Sequence, residues 1–180
     1  MNRAAIRNQC VSHYEDIAML NKLKQTQAQF GGSSDVIDHW LDTRQRLIVE
    51  YCKLAALKPS SQKVALTQLP SPQELQNFCQ HVVDYISEGH FKIYDMVMQK
   101  WQATGFSPTD EIDQTYFKIV TTTEPLLNYT DNYAEVDTED ELEDFDADLS
   151  QIGEVLEERF ELEDQLIQMI AESLEIPPGA

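Results

Sequence analysis

Three groups of residues have the types and spacing for chemistry. Asp144, Asp146 and Asp148 stand at the first, third and fifth places that open a calcium-binding loop. The sixth place is Leu149, where a glycine must make the turn, and the twelfth is Val155, where a glutamate must supply two oxygens. These acids therefore read as the charged start of a helix, favoured by its positive end. Cys79, His81, Asp84 and His90 fall close together and could supply a nucleophile and a base. Cys79, however, lies on an apolar stripe with no neighbouring cation to lower its pKa. The chain contains no phosphate-cradling glycine loop, no HExxH and no GxSxG. No catalytic residue, metal or cofactor is expected, and the chain is not expected to be an enzyme.

The third group is "FCQHVVDYISEGHFKIYDMV", residues 78–97. On a continuous helix over 75–101, Leu75, Cys79, Val82, Ile86, Ile93 and Val97 share one face, which must be the core side. Asp84 and Phe91 are two turns apart and stack on the opposite side, with Glu88 and Asp95 flanking them. An outward aromatic ring among carboxylates suits recognition of a basic protein, the ring as anchor and the acids as selectors. Gly89 leaves an alternative open: if it breaks the helix, the register resets and Phe91 turns inward.

Helices must position all of this. Apolar pairs recur from Val36/Ile37 through Trp40/Leu41, Leu47/Ile48 and Tyr51/Cys52 to Leu54/Ala55, predicting a helix capped by Ser34 or Asp35 and stopped before Pro59. "SPQE" at Ser71–Glu74 is a capping box with proline in the first turn. "SPTD" at Ser107–Asp110 repeats the device for a helix through Ile112, Tyr116, Ile119 and Val120, which Pro125 should end or kink near Glu124. "TEDE" at Thr138–Glu141 offers a third box before Leu142, Phe145, Leu149, Ile152, Leu156, Phe160, Leu166 and Met169, a long helix with Gly153 as its weak point. "GGSS" at Gly31–Ser34 ends a leading polar segment. With no period-two segment, the expected fold is all-α: an elongated antiparallel bundle of four or five main helices.

At 180 residues with 42% hydrophobic side chains, the chain can bury a core as one domain. No apolar run is long enough to span a membrane, and the first twenty residues lack a secretory signal's hydrophobic stretch, so the cytoplasm is the expected location. Cys10, Cys52 and Cys79 are too few and too scattered for a disulfide framework or a zinc knuckle. The net charge of −19 repels nucleic acid and anionic lipid and attracts basic proteins. No Lys or Arg occurs between Lys118 and Arg159, which concentrates that charge on a solvated surface or a steering one.

The stretches "DHWLDTRQRLIVEYCKLAALKP" (38–59), "LQNFCQHVVDYISEGHFKIYDMV" (75–97) and "LSQIGEVLEERFELEDQLI" (149–167) make the chain resemble the Rsd/AlgQ family, bacterial anti-sigma regulators that bind the primary sigma factor of RNA polymerase. The likeness begins near Met19. It implies a single domain over 19–176, preceded by an extension over 1–18 (a real addition or an upstream start) and followed by a short tail over 177–180. It implies an all-helical bundle that occupies the carboxy-terminal promoter-recognition region of sigma, blocks its contacts with core polymerase and DNA, and acts as growth slows. Asp84 and Phe91 match positions expected at the sigma contact, which favours the outward reading of Phe91. His90, Glu88, Asp95, Trp40, Arg44 and Tyr94 are further candidates; for Trp40 and Tyr94 the competing reading is core packing, and for Arg44 an internal carboxylate partner. The rival function is an acidic helical adaptor for metabolic or stress-signalling proteins, and further protein partners remain open beside sigma.

Overall fold

The computed structural model describes residues 18–32, 35–56, 70–89, 94, 110–138 and 142–175. Residues 18–30 form helix α1. It is followed by α2 (Asp35–Ala56), α3 (Pro72–Glu88), α4 (Asp110–Thr121), α5 (Thr123–Tyr133) and α6 (Phe145–Glu175). There is no strand among the described residues, and the all-α bundle expected from periodicity is what forms.

Local chemistry sets several boundaries. The Ser71 hydroxyl accepts from the Glu74 amide, and the Glu74 carboxylate accepts from the Ser71 amide at 2.8 Å, so the capping box is complete and Pro72 opens α3. Gly31 closes α1, its amide donating to the Gln27 carbonyl at 2.9 Å. Gly32 follows with φ of +78°, a left-handed conformation that a side chain would resist, and its amide donates to Asp38 Oδ1 at 2.7 Å. The leading segment is thus a packed helix, with Met19, Leu23 and Thr26 buried.

Two expected boundaries shift. Pro125 does not end α4; the chain turns at Thr122, whose hydroxyl and amide both donate back to the Ile119 carbonyl. Pro125 then sits in the first turn of α5, where its missing N–H costs nothing. Thr138 does not cap α6, which begins only at Phe145; its amide and hydroxyl donate to Asp137 Oδ1. The helix begins beyond it, with the Asp144 carbonyl accepting from Ala147 and Asp148. The remainder of both the "SPTD" and "TEDE" boxes lies outside the described residues.

The main core joins α1, α2, α3, α5 and α6 around Trp40, Leu47, Tyr51, Leu75, Phe78, Val82, Tyr85, Leu126, Leu149 and Leu156. A smaller cluster of Ile112, Ile119, Leu162, Leu166 and Tyr94 seats α4 against the carboxy-terminal half of α6. Gly153 is no weak point: it is buried within α6, and a methyl group there would overlap the Tyr51 hydroxyl reaching across from α2. Val120, expected on the buried stripe of α4, is instead 42% exposed. No helix among the described residues is long and apolar enough to cross a membrane.

Candidate functional site

Helices α2 and α3 pack side by side and leave an open groove of about 470 Å³ along their outer edge. His39, Thr43 and Arg46 line it from α2; His81, Asp84, Ser87 and Glu88 line it from α3. Periodicity explains the division. Leu75, Cys79, Val82 and Ile86 turn into the core, so Asp84 must turn out, and it is exposed with Gln80 Nε2 donating to it at 2.8 Å.

Glu88 closes one end of the groove. The Thr43 hydroxyl donates to its Oε2 at 2.9 Å, and His39 Nε2 stands 3.1 Å from Oε1. At the other end His81 Nδ1 meets Glu50. Two histidine–carboxylate pairs therefore clasp α2 to α3 on either side of Asp84. Arg46 brings a cation into the groove, and a shallow depression lined by Asp42, Arg46, Val49 and Lys53 continues it along α2. The surface is acidic with interspersed cations, a pattern that selects a partner by charge register.

Beneath this face lies a buried ionic network. Arg44 is 1% exposed and sits 4.4 Å from the Trp40 ring centre and 5.0 Å from that of Phe160. Its Nη1 donates to Asp164 Oδ1 at 2.6 Å, its Nη2 to Glu163 Oε2 at 3.1 Å, and its Nε to the Tyr85 hydroxyl at 2.9 Å. Tyr85 in turn donates to Glu163. Arg159 donates from Nε to Glu163 Oε1 at 2.8 Å and from Nη1 to the hydroxyls of Thr122 and Thr123 and the Ile119 carbonyl. The Thr26 hydroxyl completes the set on Asp164 Oδ2 at 2.7 Å. Two guanidinium groups thus face two carboxylates, and the burial cost is offset by charge and by satisfied hydrogen bonds. Burial pulls the Arg44 pKa down, but the surrounding carboxylates outweigh it and hold the group above its ordinary range. Burial pushes the Tyr85 hydroxyl well above its ordinary value, so it stays a neutral donor.

These positions divide the candidates. Asp84 and Glu88 stand together on the groove. Trp40, Arg44 and Tyr94 are 1%, 1% and 6% exposed. Trp40 stacks on Tyr85 with the rings 10° from parallel, Tyr94 meets Tyr116 edge to face, and Arg44 takes its internal carboxylates. For these three the geometry is that of core packing and internal pairing, because nearly all of their surface is already covered. His90, Phe91 and Asp95 lie outside the described residues; α3 ends at Glu88, and its C-cap Gly89 keeps helical dihedrals (φ −57°, ψ −49°). Sequence reasoning missed Arg46, His39 and Glu50, which carry no signal until α2 and α3 are set side by side. Among the described residues no group of three or more His, Cys, Asp and Glu could hold a metal ion.

Compared with known proteins, residues 19–171 match the family model described as regulator of RNA polymerase sigma(70) subunit, Rsd/AlgQ. The chain belongs to the Rsd/AlgQ family. Among its relatives in that family, the "Regulator of sigma D" of Yersinia enterocolitica serotype O:8 is 38% identical over 156 residues, covering 86% of this chain and 92% of the relative. The protein of the same name from Yersinia pseudotuberculosis serotype O:1b is 36% identical, covering 86% and 90%. That from Enterobacter sp. (strain 638) is 37% identical over 153 residues, covering 84% and 89%. The Rsd/AlgQ match spans every described helix, from α1 to the last turns of α6.

Proposed function

We propose that this protein regulates transcription by binding the primary sigma factor of RNA polymerase, without catalysis of its own. The observation that carries the reading is the family match over 19–171, a span that includes both walls of the α2–α3 groove. Charge is consistent with it. A sigma region that grips promoter DNA must present Lys and Arg to phosphate, and a bundle of net charge −19 competes for the same cations. The finer reading is sequestration: the groove, with Asp84 and Glu88, holds the carboxy-terminal promoter-recognition region of sigma, and His90, Phe91 and Asp95 are further candidate contacts by sequence. Core polymerase and promoter DNA are then denied that region, and primary-sigma transcription falls as growth slows. Trp40 and Arg44 serve this surface from beneath as its rigid support, while Tyr94 belongs to the cluster between α4 and α6.

The test is a titration of the full chain against the primary sigma factor and against its isolated carboxy-terminal domain, together with transcription in vitro from a primary-sigma promoter. Binding to both with loss of transcript is expected, and Asp84→Lys should abolish it in low salt. A sigma factor that ignores the protein in dilute buffer sinks the reading; binding to sigma but not to its carboxy-terminal domain sinks only the sequestration mechanism.

A further inference from the structure

Phe117 is 67% exposed, the most exposed of the large hydrophobic side chains described. It lies on α4, whose Ile112, Thr115 and Ile119 turn inward. At 100° per residue, Asp113, Phe117 and Val120 fall within a sector of roughly 60° on the side away from that core. Val120 is 42% exposed, and Asp113 and Asp110, one and two turns before Phe117, are exposed as well. An aromatic and an aliphatic side chain at helical spacing, with carboxylates beside them, form an anchor with an acidic border. A helix that only needed to pack on α6 would carry polar residues there.

Charge narrows the occupant. A second copy of this chain would set acid against acid, and nucleic acid is repelled for the same reason. A protein segment with an apolar side chain flanked by Lys or Arg fits both parts of the face. A protein that grips DNA must carry Lys and Arg on its surface, and the partner proposed above is one. We infer that the Phe117–Val120–Asp113 face of α4 is a second contact for the primary sigma factor, an inference that rests on the proposed function. Among the described helices α4 packs chiefly on α6 with a smaller contact to α5, so this face is separate from the α2–α3 groove. Two separate contacts on one partner multiply their effects, each holding the other's ligand at high local concentration.

The experiment uses the full chain and full-length primary sigma factor, with Phe117→Ala and Asp113→Lys compared against wild type and against the groove variant Asp84→Lys. Phe117→Ala should weaken binding by about 10- to 30-fold. Its thermal unfolding should match wild type, because the ring is outside the core. Asp113→Lys should weaken binding in low salt and lose that effect in high salt. If both α4 variants bind as wild type does while Asp84→Lys loses affinity, the α4 contact is refuted and the proposed function stands. If wild type fails to bind sigma, both fall. A wild-type chain that sediments as a dimer, with Phe117→Ala a monomer, makes the face a self-contact and overturns the inference.

Discussion

The Tyr51 hydroxyl occupies the space that a side chain at Gly153 would fill. The Tyr51 ring carbon Cζ would lie 2.6 Å from such a methyl group, so the close approach of α2 to α6 at this level requires a residue without a Cβ. The same glycine is buried in mid-helix, where alanine is otherwise preferred by about 1 kcal/mol. Packing and helix propensity oppose each other here, and packing decides the residue.

Gly153→Ala should therefore destabilise the bundle, by about 1–3 kcal/mol, despite its better helix propensity. Adding Tyr51→Phe removes the clashing oxygen but not Cζ, and should recover part of the loss. A double-mutant cycle by denaturant unfolding measures that coupling. A more stable Gly153→Ala protein would show that α2 can move aside freely.

Glu163 is 1% exposed between two guanidinium groups. Glu163→Ala leaves Arg159 facing only neutral acceptors and Arg44 with Asp164 as its remaining carboxylate. The expected loss is about 3–5 kcal/mol, the scale of breaking a buried ion pair. Replacing Arg44, Arg159, Glu163 and Asp164 together by apolar residues of similar volume leaves no buried charge unpaired and should cost less than Glu163→Ala alone. Equilibrium unfolding of the two proteins in urea gives the comparison.

Burial pushes the Cys79 thiol up from its ordinary value of 9.0 to about 12. The folded protein keeps the proton between those values while the unfolded chain loses it. This group therefore favours unfolding as pH rises above 9, and has no such effect at neutral pH. At pH 8 the native thiol should resist iodoacetamide and react fully in denaturant, as peptide mapping can show. Rapid native labelling of Cys79 would contradict its place in the core.

Ser71 holds the Glu74 carboxylate through its hydroxyl and its amide, and these bonds lower the Glu74 pKa from its ordinary 4.5. That contribution to stability is present above pH 4.5 and is lost as pH falls through the lowered value. Ser71→Ala should cost about 1 kcal/mol at neutral pH. The penalty should shrink as Glu74 protonates, which thermal melts across pH 3–7 would reveal.

Much of the bundle was legible because helix-making is local. The stripe of α2 and the box at Ser71–Glu74 depend on residues three and four apart, and both form as read. Even α1 carries a signal in Met19, Leu23 and Thr26, although its polar composition hides it. The thinner signals misled. Pro125 marks a helix start as readily as a stop, and Thr138 lies short of the helix, which begins at Phe145. Val120, read onto the buried stripe beside Ile119, turns outward with Phe117 instead.

The ionic core was half visible. Arg44 fills the gap in the stripe between Leu41 and Leu47, and Arg159 and Glu163 fill the step between Leu156 and Leu166. A charged residue at a core position announces that a partner exists, because burying it alone is too costly. It does not say which. By itself the sequence determined most of the helices, the Ser71 cap, the family likeness and the strongly negative charge, all of which arise from neighbours in the chain or from composition. Only the tertiary structure decided that Arg44 would face Glu163, 119 residues away, and that Asp84 and Glu88 would share a groove with His39 and Arg46. Those pairings depend on how the helices are set against one another, which no local spacing encodes.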